Sequence, residues 1–207
     1  YLHMLDFVSN LQRLDTLKKY DFFHRIDDDS LFKYPIKVDF FEQLKLSGKP
    51  IATSNTYNYF TQNHIDVREN LFYFTKEFCK KRNIIPKNHQ LKEVIEQNDE
   101  NKFHQLEWSA GNCNIYNMAF FRTQEWLDWI AAVNQFGGCY KHRWSDQEII
   151  GIYGYMYHEE PILNLKLKEN GLYLPRNPKA EIIKSQTLNN NKKRILRDLV
   201  KRIANKL

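Results

Sequence analysis

"DFFHRIDDD", residues 21–29, decides the fold. Just ahead of it stands Tyr20, and Tyr20, Phe22, His24 and Ile26 alternate with Phe23 and Arg25, the period-two pattern of a strand. The strand runs directly into Asp27, Asp28 and Asp29, in a chain whose net charge is +6. Ligands of open α/β sheets bind beyond the carboxyl ends of strands. Alternation along extended backbone sends Asp27 and Asp29 to one side. Two carboxylates placed so make a hard-oxygen site for Mn²⁺ or Mg²⁺. A metal held there meets substrate phosphates and neutralises a leaving diphosphate. The same residues also suit a solvated loop, or the cap of a helix starting near Ser30; D-x-D alone does not decide between these.

Strands and helices alternate outward from this stretch. A helix is predicted over residues 1–18 from Leu2, Leu5, Val8, Leu11 and Leu14. "KPIATSNTY" reads as a second strand, 66–82 as a helix, and "NIIPKNHQLKEVIEQNDENK" as a polar surface excursion with room for a short helix. "GNCNIYNM" is a further strand, and "TQEWLDWIAAV" a helix capped by Thr123 and ended by Gly137-Gly138. "SDQEIIGIYGYMY" is another helix, opened by a Ser145/Glu148 capping box. "PILNLKLKENGLYLP" reads as strand, turn, strand. The pattern is that of an α/β domain. Its 207 residues, 42% of them hydrophobic, suit one domain or a large part of one. The first residue is Tyr1, and the sequence opens inside an amphipathic pattern, so an N-terminal portion is expected to lie outside it.

Some chemistries find no support. Cys79, Cys113 and Cys139 form no C-x-x-C pair, which argues against zinc. The histidines lack metal spacing, no Gly-rich phosphate loop is present, and no serine has a G-x-S-x-G context. No apolar run spans a bilayer, no signal peptide opens the sequence, and there is no Asn-x-Ser/Thr sequon. Aromatic residues are scattered through core-like strands and are not interleaved with Lys and Arg on one face, which disfavours nucleic acid as a partner.

Two other stretches carry candidate chemistry. In "HRWSDQEII" the capping box accounts for Ser145 and Glu148 but leaves Arg143, Trp144 and Asp146. A carboxylate at a helix start can hold sugar hydroxyls, with an aromatic beside it stacking on the sugar. In "EWSAGNCNIYNMAFFR" the small residues Ser109, Ala110 and Gly111 precede Asn112 and Asn114; this is a close backbone approach to a ligand, or equally a turn before a core strand.

Taken in order, these stretches resemble the fungal glycolipid 2-α-mannosyltransferases. "YLHMLDFVS" matches at Tyr1, Met4, Phe7 and Ser9, and "YDFFHRIDDD" resembles Y-D-Y-Y-W-R-V-E-P-D. "EWSAGNCNIYNMAFFR" is similar to W-S-N-F-E-I-G-D-L-D-F-F-R. "GGCYKHRWSDQE" is close to G-G-F-Y-Y-E-R-W-G-D-A-P, and "NGLYLP" is like I-G-Y-Y-H-P. The resemblance implies a GT-A fold, here a mixed sheet flanked by helices and short of part of its N-terminal nucleotide-binding half. It implies a metal-dependent glycosyltransferase, with GDP-mannose as donor, Mn²⁺ (or Mg²⁺) as cofactor, retention of configuration, and a glycan or lipid-linked acceptor. Asp27 falls on the metal-binding Glu and Asp29 on the closing Asp of that motif. Arg25, Arg143, Trp144 and Tyr173 fall on donor-side positions, and Asn114 and Asp146 on the catalytic ones. Asn114 replaces a proposed nucleophilic Glu, and Leu174 replaces a metal-binding His. These departures favour an alternative, a degenerate, non-catalytic module that binds glycan or a partner protein.

The expected domain covers 1–178, followed by a basic tail over 179–207. From Lys192 to Leu207 the apolar residues Ile195, Leu196, Leu199, Val200, Ile203 and Leu207 form a stripe, and Asp198 is the only acid among seven Lys and Arg. This helix packs on the domain or lies in the plane of an anionic membrane. The expected location is cytoplasmic or peripheral to a membrane, or the Golgi lumen if a preceding segment carries an anchor. Each cation near an anionic surface adds about 1 kcal/mol. The membrane reading predicts that the intact protein sediments with anionic vesicles at low salt and not at high salt. It predicts further that deleting the residues after Gln186 abolishes binding; unchanged sedimentation would make the tail structural.

Overall fold

A computed structural model describes residues 2–27, 30, 32, 35–57 and 68–167. Asp29, Tyr173, the boundary at 178, the strand expected after Asn170 and the basic tail lie outside the described residues.

The N-terminal stripe forms α1 (Leu2–Ser9) and then two 3-10 turns, Leu11–Arg13 and Asp15–Leu17, in place of one long helix. Asn10 ends α1 by turning its amide back onto Asp6, with Nδ2 at 2.8 Å from the carbonyl and 3.1 Å from the carboxylate. The next strand is β1 (Phe22–Ile26), where the alternation placed it. Helix α2 (Phe40–Ser47) starts at Asp39, whose carboxylate accepts from the N–H groups of Phe41 and Glu42.

The expected second strand is two. β2 (Ile51–Thr53) joins the main sheet, and β3 (Thr56–Tyr57) pairs with β4 (Trp108–Ser109) in a separate ribbon. Of the helix expected over 66–82, α3 (Leu71–Lys81) is described, with Asn70 just before it left-handed at φ 63°; residues 66 and 67 lie outside the described residues. The stretch read as a surface excursion instead folds as α4 (His89–Gln97) and α5 (Glu100–His104), capped by Asn88 and Asp99. These helices bury Leu91, Val94 and Phe103.

Strand β5 (Cys113–Asn117) leads through α6 (Met118–Phe121) to α7 (Gln124–Phe136). The Thr123 hydroxyl caps α7, and Gly137 closes it at φ 73°. Next come α8 (Gly138–Lys141), α9 (Asp146–Tyr157) with its capping box as predicted, and β6 (Ile162–Asn164).

The sheet order is β1-β5-β2-β6. β5 runs antiparallel to both neighbours and β6 parallel to β2, so the sheet is mixed and the fold α/β. The register sets one polar row across it, Arg25–Asn114–Thr53–Asn164, near the carboxyl ends of β1, β2 and β6. The row behind it is Phe23–Tyr116–Ile51–Ile162. The larger core joins Tyr116 and Ile51 to Trp108, Trp126, Trp129 and Trp144. A smaller core, with Phe40, Leu44, Cys113 and Ile115, backs the other face of the sheet. All three cysteines are free and buried, and burial pushes each thiol up to about 12. Among the described residues no helix is long and apolar enough to cross a membrane.

Trp144 packs directly over Gly138, where a Cβ would sit 2.3 Å from the indole. Gly138→Ala is therefore expected to destabilise the fold by about 1–3 kcal/mol through overpacking. Urea denaturation measures the loss; an unchanged midpoint would show that the indole moves freely.

Candidate functional site

The site gathers where the carboxyl end of β1 meets the first turn of α9. Arg25 lies on the face of β1 opposite the smaller core. One Nη donates to the carboxylate of Asp146, and the other reaches Asp27 Oδ1 at 3.2 Å. Asp146 is 4% exposed and the Asp27 side chain 35%, so one carboxylate is sealed in and the other meets solvent. Burial disfavours the charged guanidinium, but the neighbouring Asp146 and Asp27 charges outweigh it and hold the pKa of Arg25 above its ordinary value.

Asn114 stands beside Arg25 in the register and is fully buried. Its Nδ2 donates to the Tyr116 hydroxyl at 2.9 Å, and its Oδ1 has no partner among the described residues. Burial, together with the Asp146 charge, pushes the Tyr116 phenol well above its usual pKa, so it stays protonated. Asp27 is held by its backbone as well, its N–H donating to the Asn112 carbonyl at 3.0 Å.

Helix α9 is fixed from its other side. Glu148 accepts from Arg68 Nε at 2.9 Å while closing the capping box with Ser145. Arg68 is fully buried, with its guanidinium carbon 5.3 Å from the Trp108 ring centroid. Gln147 crosses over Gly111, where a Cβ would lie 1.7 Å from Gln147 Nε2, and its Oε1 accepts from the Tyr57 hydroxyl at 3.1 Å. The close approach expected at Ser109–Gly111 is thus an approach to Gln147.

Of the sequence-predicted residues, Arg25, Asp27, Asn114 and Asp146 come together. Trp144 is corrected. Its ring is 1% exposed, stacked on Phe136 at 5.1 Å and 8°, and its Nε1 is spent on the Glu69 carbonyl. It has no face to offer a sugar. Arg143 is exposed, with a left-handed backbone at φ 57° in the turn leading into α9. Tyr116 and Arg68 were not singled out from the sequence. The visible signal for Tyr116 was its place two residues after Asn114 on an alternating strand, hence on the same side.

The described residues contain no group of three His, Cys, Asp or Glu side chains able to hold a metal. What they offer is one half-exposed carboxylate, Asp27, at the mouth of the cluster, since Asp146 is committed to Arg25. An oxygen donor of this kind fits a hard divalent ion but needs further ligands.

Residues 1–164 match the family described as glycolipid 2-alpha-mannosyltransferase. A probable mannosyltransferase of Saccharomyces cerevisiae, KTR3, is 26% identical over 154 residues, covering 73% of this chain and 37% of that protein. The mannosyltransferase Ktr4p from S. cerevisiae, solved in complex with GDP, superposes with a TM-score of 0.62 at 20% identity, over 75% of this chain and 41% of that one. Core-mannan synthase A from Aspergillus fumigatus, in its Mn/GDP form, gives 0.64 at 15% identity, over 83% and 46%. The chain spans less than half the length of these relatives. At such identities the two structures show likeness of fold.

Removing one partner of a buried ion pair strands the other charge, at a cost of about 3–5 kcal/mol. Arg25→Met is expected to destabilise by that amount in urea denaturation, and Arg25→Met/Asp146→Leu to recover most of it. A double variant as unstable as the single one would mean that Asp146 is not stabilised by Arg25.

Proposed function

The chain belongs to the glycolipid 2-alpha-mannosyltransferase family, and from that premise we propose that it forms part of a metal-dependent glycosyltransferase. In this reading mannose moves from GDP-mannose to a glycan or lipid-linked acceptor, and the sheet is a portion of a GT-A fold. The observation that carries it is Asp27, a solvent-reaching carboxylate beside the Arg25–Asp146 pair at the carboxyl end of β1. Open α/β sheets bind nucleotide ligands at such ends, and GDP or Mn/GDP accompanies the structures of similar fold.

Asp27, with Asp29 two residues on, would hold Mn²⁺ or Mg²⁺. Such an ion neutralises charge on a departing diphosphate. Arg25 orients Asp27 and is itself held by Asp146. Asp146, sealed and ion-paired, serves to position Arg25 and is not a free base as it stands. An amide is a very poor nucleophile, so Asn114 supports no covalent glycosyl intermediate. Donor departure and acceptor attack on one face of the sugar then fit a retaining outcome, with Asn114 as a hydrogen-bonding group. Arg143 and Tyr173 remain proposed donor contacts.

A second reading has its own observation. Asn114 is fully buried with Nδ2 already used, and it stands where the resembled motif has a carboxylate. A module that binds nucleotide sugar or glycan without turnover fits that feature.

The test is a screen of sugar nucleotides with Mn²⁺, reading melting temperature and donor hydrolysis. The transferase reading expects GDP-mannose to raise the melting temperature and to be hydrolysed. A shift without hydrolysis selects the binding module. Asp27→Ala is expected to lose Mn²⁺-dependent nucleotide binding by calorimetry; unchanged binding would remove Asp27 from the metal site.

A further inference from the structure

We propose that the cavity at the end of α9 remote from Asp146 is a second binding site, one that takes a neutral oligosaccharide. The cavity measures about 710 Å³ and lies where β2 and β6 begin, between Lys49, Asn88, Tyr155 and Ile162. That volume is in the range of small-ligand sites and far exceeds what one ion needs. From Asp146 to Tyr155 the helix covers roughly 14 Å, at about 1.5 Å per residue. The cavity is therefore separate from the Arg25–Asp146 cluster.

Its frame is tied down while its inner groups stay free. The N–H groups of Lys87 and Asn88 donate to the Met156 and Tyr155 carbonyls of α9, each at 3.1 Å. Asn88 Nδ2 donates to the Glu159 carbonyl at 2.6 Å, and the Tyr155 hydroxyl to the Glu107 carbonyl at 2.5 Å. The side chains of Lys87, Gln90, Glu107 and Glu159 line the cavity, are exposed, and have no side-chain partner among the described residues.

Charge decides which ligand suits these groups. The lining holds two amines, Lys49 and Lys87, against three carboxylates, Glu107, Glu159 and Glu160. Lys49 is already closed on Glu160 at 2.8 Å and on the Ile162 carbonyl at 3.4 Å. A phosphate would meet two carboxylates for one free amine, and no group of three metal-ligating side chains stands among the described residues. Sugar hydroxyls need donors and acceptors interspersed at little net charge. An ammonium donates, a carboxylate accepts, and the Gln90 amide does both. A nucleobase needs an exposed ring to stack on, and Tyr155 is buried. A peptide side chain needs an apolar recess, and Pro161 and Ile162 are the aliphatic side chains that the lining offers. With no aromatic face against the sugar, binding is weak, on the order of millimolar.

The probe is mannotriose, titrated into the intact ¹⁵N-labelled chain and followed by ¹H–¹⁵N NMR. Saturable shifts are expected at the amides of Lys87, Gln90, Glu107 and Ile162, with an affinity independent of salt because the ligand is neutral. Gln90→Ala/Glu107→Ala changes two exposed side chains outside the candidate site. It is expected to weaken this response about tenfold, the cost of one or two hydrogen bonds, at an unchanged melting temperature. Inorganic phosphate is the counter-probe and is expected to bind more weakly than the sugar. Shifts confined to the strand end around Asp27, no saturable shift, phosphate binding tighter than mannotriose, affinity falling with salt, or a double variant that binds like the wild type would each overturn the proposal. The readout is binding alone, so a chain that hydrolyses no GDP-mannose fails the transferase reading and leaves this one to its own test.

Discussion

The ion pair between Arg25 and Asp146 joins the end of β1 to the start of α9, across 121 positions of sequence. Among the described residues, Asp27 and Asn114 are placed relative to it. Such a pair contributes little net stability, since desolvating both charges offsets most of their attraction. What it supplies is position, because either partner left alone inside the protein is heavily penalised. Strand and helix therefore meet with Arg25 against the first turn of α9, and Asp27 is delivered to the rim as a consequence.

The helix start is held by more than one device. Asp146 and Glu148 occupy its first turn, where negative charge is favoured by the helix dipole. Each has its own arginine, Arg25 from the sheet and Arg68 from the turn before α3. Glu148 also closes the capping box, and Gln147 braces against the glycine at 111. Three consecutive side chains thus reach three separate neighbours. Rotation or sliding of α9 would break all of these contacts together, so the site is rigid at its helical wall.

How much of this could be read beforehand depended on how local the cause was. The capping box at Ser145, the strand alternation at 20–26 and the left-handed stop at Gly137 are determined within a few residues, and all were legible. The two helices at 89–104 were not, because Leu91, Val94 and Phe103 are few against an Asn- and Lys-rich background, and their caps Asn88 and Asp99 look like loop residues. The N-terminal helix was overextended because Leu11 and Leu14 continue the stripe past Asn10, where α1 ends. At the site, Arg25, Asp27, Asn114 and Asp146 were found through their order along the chain. The burial of Trp144 was not legible, since a tryptophan before a helix looks the same whether it faces solvent or Phe136. Arg68 and Tyr116 act on partners 80 and 2 residues away, and the first of these distances leaves no pattern in the sequence.

The charge balance of the cluster bears on why an amide is tolerated at its centre. Arg25 contributes one positive charge, while Asp27 and Asp146 contribute two negative ones. A third carboxylate at 114, fully buried and next to Asp146 through Tyr116, would have to be offset by a cation or take up a proton. An amide of nearly the same shape keeps the hydrogen-bonding capacity and omits the charge. With an amide there the cluster carries one net negative charge, and a divalent ion on Asp27 would make it one net positive, the sign that suits a nucleotide diphosphate. On the transferase reading proposed above, such a centre would hold a donor by charge and orientation and not through a nucleophile at 114.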